Sequence, residues 1–298
     1  MAQVSSSPVP DAGTRPSEKD FDLLRLHTGI EDEKDLMKHI VTIQEEAYKI
    51  FPYPCIRLFS FFWAKIARSP SYAKLLELGR EREGAIFLDV GCSFGIDVRV
   101  AISDGFPSEN IVATDLRPEF WDLGMNLFMS APETFSVPFV CGDLFDLTFV
   151  KPCPPFYQRP DTHQPDLRKL ASLNPLLGHV SVLYAGLLFH LFDEEEQLQL
   201  ARILAGLLSP EPGSLIFGSH TAKSQQGTDT PRWPAGITNP FCHSPESWKE
   251  LWEGQVFTKG TVKVEATLWP IDGILAQFGM EAKESERVYG MAWSVTRL

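Results

Sequence analysis

The sequence predicts an α/β chain, in which a seven-stranded, mostly parallel sheet carries helices on both faces and follows an N-terminal helical cap. Three observations predict it. Short apolar runs alternate with helical stretches between about residues 85 and 220; the early runs end in an acidic residue beside glycines; and the last third changes to longer runs of alternating hydrophobicity.

Taken in order, residues 1–20 are rich in Ser, Pro and charge and read as a disordered tail. Residues 21–80 read as a helical cap of about three helices. Leu36, Ile40, Ile43 and Ala47, then Ile56, Phe59, Phe62 and Ile66, recur at helical spacing, with breaks at Phe51-Pro52-Tyr53-Pro54 and Ser69-Pro70. Residues 81–298 read as one cofactor-binding domain. Its strands are expected at Ala85–Val90, Ile111–Asp115, Pro138–Cys141, Val180–Ala185 and Ser214–Ser219. Glu194–Leu208 is the clearest crossover helix, closed by Ser209-Pro210 and Pro212-Gly213. Val262–Trp269 and Val288–Arg297 alternate and predict a closing antiparallel, hairpin-like pair, with a helix at Asp272–Phe278 between them. Two Pro-rich inserts, near 151–175 and 223–245, are too long for plain connections and are expected to cover a pocket.

Composition narrows the function. With 44% hydrophobic residues the chain can bury a large core, and 39 acidic against 27 basic side chains give a charge of −12. A broad phosphate-binding face does not fit that balance, so small-molecule substrates are expected rather than nucleic acid. Cys55, Cys92, Cys141, Cys153 and Cys242 are odd in number, widely spaced and without a C-x-x-C pair, which points to a reducing, cytoplasmic compartment. The N-terminus lacks an apolar leader core, and no run reaches the length of a membrane span.

Phe87-Leu-Asp89-Val-Gly91-Cys-Ser93-Phe-Gly95 is an apolar strand ending in an acid and entering a glycine loop that opens a helix. Glycines suit such a turn because a ligand must approach the backbone closely where free amides can donate. The spacing is G-x-x-x-G and not the dinucleotide G-x-G-x-x-G, which makes a nicotinamide oxidoreductase the weaker reading. In the favoured reading the cofactor is S-adenosyl-L-methionine. Asp89 accepts from its amino group, and Gly91, Ser93 and Gly95 accommodate its amino-acid moiety. Asp115, followed by Leu116, accepts both ribose hydroxyls. After the third strand, Gly142-Asp143-Leu144 offers Asp143 to the adenine amino group and Leu144 or Phe145 to its ring. A plain tight turn or a helix cap would account for any one of these alone, but not for three in order at strand ends.

The acceptor side is less specified. Tyr184 lies near the carboxyl end of the fourth strand, and His190 just beyond it. His190 is either a base or substrate hydrogen-bond donor, or a lock between the strand and the next helix. His220 closes the fifth strand at the same edge. A metal site drawn from His163, His190, His220 and His243 is discounted, because no pair has ligand spacing. Phe59, Phe61, Phe62, Trp63, Trp248, Trp252 and Trp269 read as core first and as acceptor lining second.

The chain resembles the fungal class I-like methyltransferases of meroterpenoid and related secondary-metabolite pathways. The likeness is carried by Tyr53-Pro-Cys-Ile56, Phe87-Leu-Asp-Val-Gly-Cys-Ser-Phe-Gly-Ile-Asp97, Ser172-Leu-Asn-Pro175, Phe189-His-Leu-Phe192, Leu208-Ser-Pro-Glu-Pro-Gly213 and Phe241-Cys-His-Ser-Pro245. The resemblance implies the Rossmann-like fold of class I methyltransferases and O-methylation of a small, largely apolar natural product of terpenoid or polyketide origin. It also implies esterification of a carboxyl on a prenylated aromatic acid, and a homodimer. One departure is Tyr184-Ala-Gly-Leu-Leu, where such enzymes carry a His-Ala-Ser-like stretch. A cofactor-binding regulator without turnover is the alternative on the same fold.

Overall fold

The structure, a computed structural model, describes residues 18–228, 240–271 and 287–298. Helices α1 (Glu18–Thr28), α2 (Glu33–Ile50), α3 (Pro54–Arg57) and α4 (Tyr72–Glu81) come first. Glu18, Lys19 and Asp20, read above as tail, are the first turn of α1. Asp20 explains the difference: its buried carboxylate takes the Ala64 N–H at 2.9 Å and the Arg68 guanidinium at 3.0 Å, a tertiary anchor that composition does not reveal. In α2 the Asp32 side chain caps the amides of Lys34 and Asp35, and Leu36, Ile40, Ile43 and Ala47 form its buried stripe.

The sheet follows with β1 (Ile86–Val90), α5 (Ile96–Ser103), β2 (Ile111–Asp115), α6 (Pro118–Leu127), β3 (Phe139–Cys141), β4 (Val180–Gly186), α7 (Glu194–Leu207) and β5 (Leu215–Ala222). Every residue of β1 is buried, as expected of a central parallel strand covered on both faces. After β6 (Gly227–Thr228), β7 (Phe241–Cys242) and α8 (Pro245–Glu250), strands β8 (Val262–Pro270) and β9 (Tyr289–Arg297) close the chain. The expected helix at Asp272–Phe278 lies outside the described residues.

Seven strands pair in the order β3-β2-β1-β4-β5-β9-β8. The first five are mutually parallel, and β9 runs antiparallel between β5 and β8. The two final strands thus pair as expected, with the last one inserted beside β5. Strand order reverses between β1 and β4, where a crevice opens at the carboxyl ends in such folds. Apolar side chains of α7, α8 and the following turn pack on one face of the sheet; those of α4 and α5 pack on the other. The cap buries a third cluster against α6, where Phe94 lies between Phe61 (ring centroids 4.7 Å) and Phe120 (5.5 Å).

The insert near 151–175 is described throughout. It runs along the amino-terminal edge of the sheet, opposite the carboxyl ends: Gln164 Nε2 donates to Gly84 O at 2.7 Å, and the Arg297 guanidinium donates to Phe156 O. A surface cleft of about 460 Å³ lined by Gly84, Asn110, Gln164 and Arg168 lies at that edge. The base of the second insert is at the carboxyl edge, where β6 and β7 pair and Phe241 N–H donates to Phe192 O. Residues 229–239 of that insert lie outside the described residues.

Candidate functional site

After Asp89 and Val90 the chain turns through Gly91 (φ 73°), Ser93 (φ 49°) and Gly95 (φ 67°) before α5 begins. A left-handed serine costs about 1–3 kcal/mol and persists where its surroundings over-determine it. Those surroundings are backbone hydrogen bonds. Gly91 and Cys92 N–H both donate to Thr114 O, and Ser93 N–H donates to Asp115 Oδ2 at 2.9 Å. Arg117 N–H donates to Asp115 Oδ1 at 2.9 Å, and Gly142 N–H to Asp115 O at 3.1 Å. One residue, Asp115, therefore ties the ends of the first three strands together. A Cβ on Gly95 would come within 2.7 Å of the Trp121 ring, so the loop's closeness to α6 requires glycine there.

Asp89 is 2% exposed, and its Oδ2 has no hydrogen-bond partner. Tyr184 pairs with it across β1 and β4, and the Tyr184 hydroxyl, also unpartnered, lies beneath Gly186. Burial, then the Asp97 and Asp115 carboxylates, push the Asp89 carboxyl well up; Lys65 opposes them. Burial also raises the carboxyls of Asp97 and Asp115, the latter held back by its backbone donors. Sequence reasoning missed the parts played by Asp97 and Lys65. Asp97 Oδ1 takes the Ile66 N–H at 2.9 Å, which fastens the cap to α5, and Lys65 Nζ donates to Ser60 O. The acid two residues beyond Gly95 was the available signal.

At the third strand end the predicted residues are more exposed. Leu116 is 56% exposed. Asp143 is exposed too, with Oδ1 taking the Phe145 N–H at 2.9 Å, while Leu144 packs against the core. The structure thus brings Asp89, Gly91, Ser93, Gly95, Asp115, Leu116, Gly142, Asp143, Leu144 and Tyr184 to the carboxyl ends of four adjacent strands.

His190 sits in the turn after β4; its ring is half-buried, with Nδ1 sealed and unpartnered. Burial lowers its pKa to about 4. His220 is 2% exposed among Phe189, Trp248 and Trp293, and its Nδ1 accepts the Trp293 indole N–H at 2.9 Å. Burial, then His190 and His243, drive its pKa well down. His243 joins this group; the sequence marked it only within Phe241-Cys-His-Ser-Pro245 and as a discounted metal ligand. Among the described residues no three His, Cys, Asp or Glu side chains are grouped to hold a metal.

Comparison with known proteins bears on what this edge serves. Residues 9–62 match the family model of the meroterpenoid methyltransferase N-terminal domain. Methyltransferase adrK of Penicillium roqueforti is 32% identical over 268 residues, covering 89% of this chain and 85% of that protein. The chain belongs to the meroterpenoid methyltransferase family. Asnovolin E/Chermesin D methyltransferase nvfJ of Aspergillus novofumigatus is 30% identical, over 89% of this chain and 84% of its own. O-methyltransferase phiE of a fungal species is 29% identical, over 80% and 71% respectively. Among solved structures, an S-adenosylmethionine dependent methyltransferase from Mesorhizobium loti overlays with a TM-score of 0.43 at 17% identity, covering 78% of this chain and 100% of that one. The protein is a methyltransferase.

The residues of this methyltransferase fit S-adenosylmethionine, the donor that its sequence predicts. S-Adenosylmethionine carries a sulfonium and an ammonium. The orphaned Oδ2 of Asp89, beside the part-buried carboxyls of Asp97 and Asp115, offers an acceptor that a cationic donor would favour in its ionised form.

Proposed function

We propose that this methyltransferase O-methylates a small, largely apolar natural product of terpenoid or polyketide origin, at a carboxyl group. The carrying observation is the buried aromatic cluster beneath the carboxyl ends of β4 and β5. Phe189, Trp248, Trp252 and Trp293 pack there edge to face or stacked, around imidazoles that burial keeps neutral at pH 7. An apolar body with one polar group suits the edge of such a cluster. One relative is named an asnovolin E/chermesin D methyltransferase and another an O-methyltransferase, which supports the same class.

When bound, the donor supplies an electrophilic methyl group, which passes to one carboxylate oxygen with release of S-adenosylhomocysteine. In this reading Asp115 takes the ribose hydroxyls, Asp89 the ammonium, and Asp143 with Leu144 the adenine. His190 and His220 face the acceptor as hydrogen-bonding groups. A carboxylate, with an ordinary pKa near about 4, is ionised at neutral pH and needs no base, so alignment and exclusion of water are the protein's main contributions. Residues 21–80 act as the cap and 81–298 as the catalytic domain. The reading includes a cytoplasmic homodimer with no nucleic-acid partner; the five free thiols and the acidic charge support the setting and the exclusion, and family resemblance the dimer.

The test offers the enzyme S-adenosylmethionine and a panel of prenylated aromatic and terpenoid acids, with product mass read before and after mild alkaline hydrolysis. A mass gain of one methyl that alkali removes is expected. A methyl that survives alkali, or cofactor binding without S-adenosylhomocysteine from any panel member, would overturn it.

A further inference from the structure

Two of the buried histidines have hydrogen-bond partners that decide which ring nitrogen carries the proton. His220 Nδ1 accepts from Trp293 Nε1, and an indole N–H can only donate. Neutral His220 therefore carries its proton on Nε2. That Nε2–H is buried and unpartnered.

His243 is tied at its other nitrogen. Its Nδ1 lies 2.9 Å from Ser247 Oγ. Ser247 Oγ takes the Ser244 N–H at 3.0 Å and points its own proton to Ser244 O at 3.2 Å, within the capping box that starts α8. With the hydroxyl proton so used, all the contacts are satisfied together when His243 Nδ1–H donates to Ser247. The His243 Nε2 is then a bare lone pair, and it too is buried and unpartnered, in a residue 3% exposed.

The two rings are neighbours. Both lie against the Trp248 indole, with centroids at 4.6 Å for His220 and 5.3 Å for His243. Lys223 N–H, one residue past β5, donates to His243 O at 3.0 Å and holds His243 alongside the strand end that carries His220. Neither unpartnered nitrogen is a plain packing atom: each forgoes a hydrogen bond that burial makes costly.

We propose that His220 and His243 form a donor–acceptor pair, and that His243 is a specificity-determining residue for the methyl acceptor. His220 gives Nε2–H and His243 offers its Nε2 lone pair. The pair selects a polar group that both takes and gives a hydrogen bond, against one that can only take. This rests on the reading that the acceptor lies at the ends of β4 and β5. It makes His220 a donor and not a base, because its only lone pair is held by Trp293. A site built this way rejects an analogue that lacks the matching hydrogen.

Two measurements test it. Long-range proton–nitrogen spectra of histidine-labelled enzyme with S-adenosylhomocysteine, assigned with His220→Gln and His243→Gln, should show His220 as the Nε2–H tautomer and His243 as the Nδ1–H tautomer at pH 7. A His243 Nε2–H form, or an imidazolium, would overturn the pair. Calorimetry on the same complex then compares 3-farnesyl-2-hydroxybenzoic acid with its 2-methoxy analogue. The hydroxyl form should bind at least ~10-fold more tightly, as expected where a buried partner would otherwise go unpaired. The preference should vanish in His243→Phe and return in part in His243→Gln, with S-adenosylhomocysteine affinity unchanged in both. A wild-type preference retained in His243→Phe, or binding of neither probe, refutes the assignment. If the preference holds but no methyl ester forms, the carboxyl chemistry fails and the pair stands. If the ester forms with no preference, the pair fails and the chemistry stands.

Discussion

The Trp293 indole N–H and the His220 Nδ1 meet at 2.9 Å, joining β9 to β5 across 73 residues of sequence in a pair of side chains that are each 2% exposed. Trp293→Phe keeps the ring but removes the donor. It leaves His220 Nδ1 unpaired in the core, which should lower stability by about 1–3 kcal/mol. Urea unfolding checks this; unchanged stability would mean that the bond contributes nothing net.

Asp115 holds Ser93 N–H and Arg117 N–H, one on each oxygen, while each oxygen keeps a second lone pair for a ribose hydroxyl. Asp115→Ala should cost about 3–6 kcal/mol of cofactor binding for two charge-assisted hydrogen bonds, or about 100-fold or more in affinity. Asp115→Asn, which preserves shape, should lose less. Calorimetry with S-adenosylhomocysteine reads both, and wild-type affinity in the alanine variant would remove Asp115 from the site.

Burial and neighbouring carboxylates raise the Asp89 carboxyl. A carboxyl with a raised pKa binds a proton more readily in the fold than in the free chain, so its contribution to stability is present at low pH and is lost as pH rises through the folded value. A cationic donor favours the ionised form. Binding of S-adenosylmethionine should therefore release protons and tighten as pH rises through that range. Titration in buffers of different ionisation enthalpy counts those protons, and Asp89→Asn should reduce the count. Proton uptake would contradict the assignment.

His190 is shifted the other way, to about 4, by burial. Between the free-chain value of about 6.5 and that figure the unfolded chain binds the extra proton, so stability falls as pH drops through this window. His243, also lowered to about 4, adds a second proton of the same sign. Urea midpoints between pH 7 and 4 should show this slope. His190→Gln should lessen it by one proton, and an unchanged slope would mean that His190 is solvated.

The sequence by itself determined the sheet and the acidic, glycine-rich edge at the carboxyl ends of its strands. Ile111–Asp115 is a strand over the span that its apolar run predicts, and Glu194–Leu207 falls one residue short of the predicted helix. These are legible because burial imposes periodicity on neighbouring residues, and because an acid or glycine at a strand end is a local signal. Asp89, Gly91, Gly95 and Asp115 could be named for that reason. The tertiary structure alone decided what depends on distant segments. Asp97 meets Ile66 across 31 residues, His243 meets Ser247 inside a capping box beside the end of β5, and the 151–175 insert covers the amino-terminal edge. Which nitrogen of His220 holds its proton also depends on Trp293 in another strand. Local pattern carries propensity and burial, whereas the partner of a buried polar atom is chosen by packing in three dimensions.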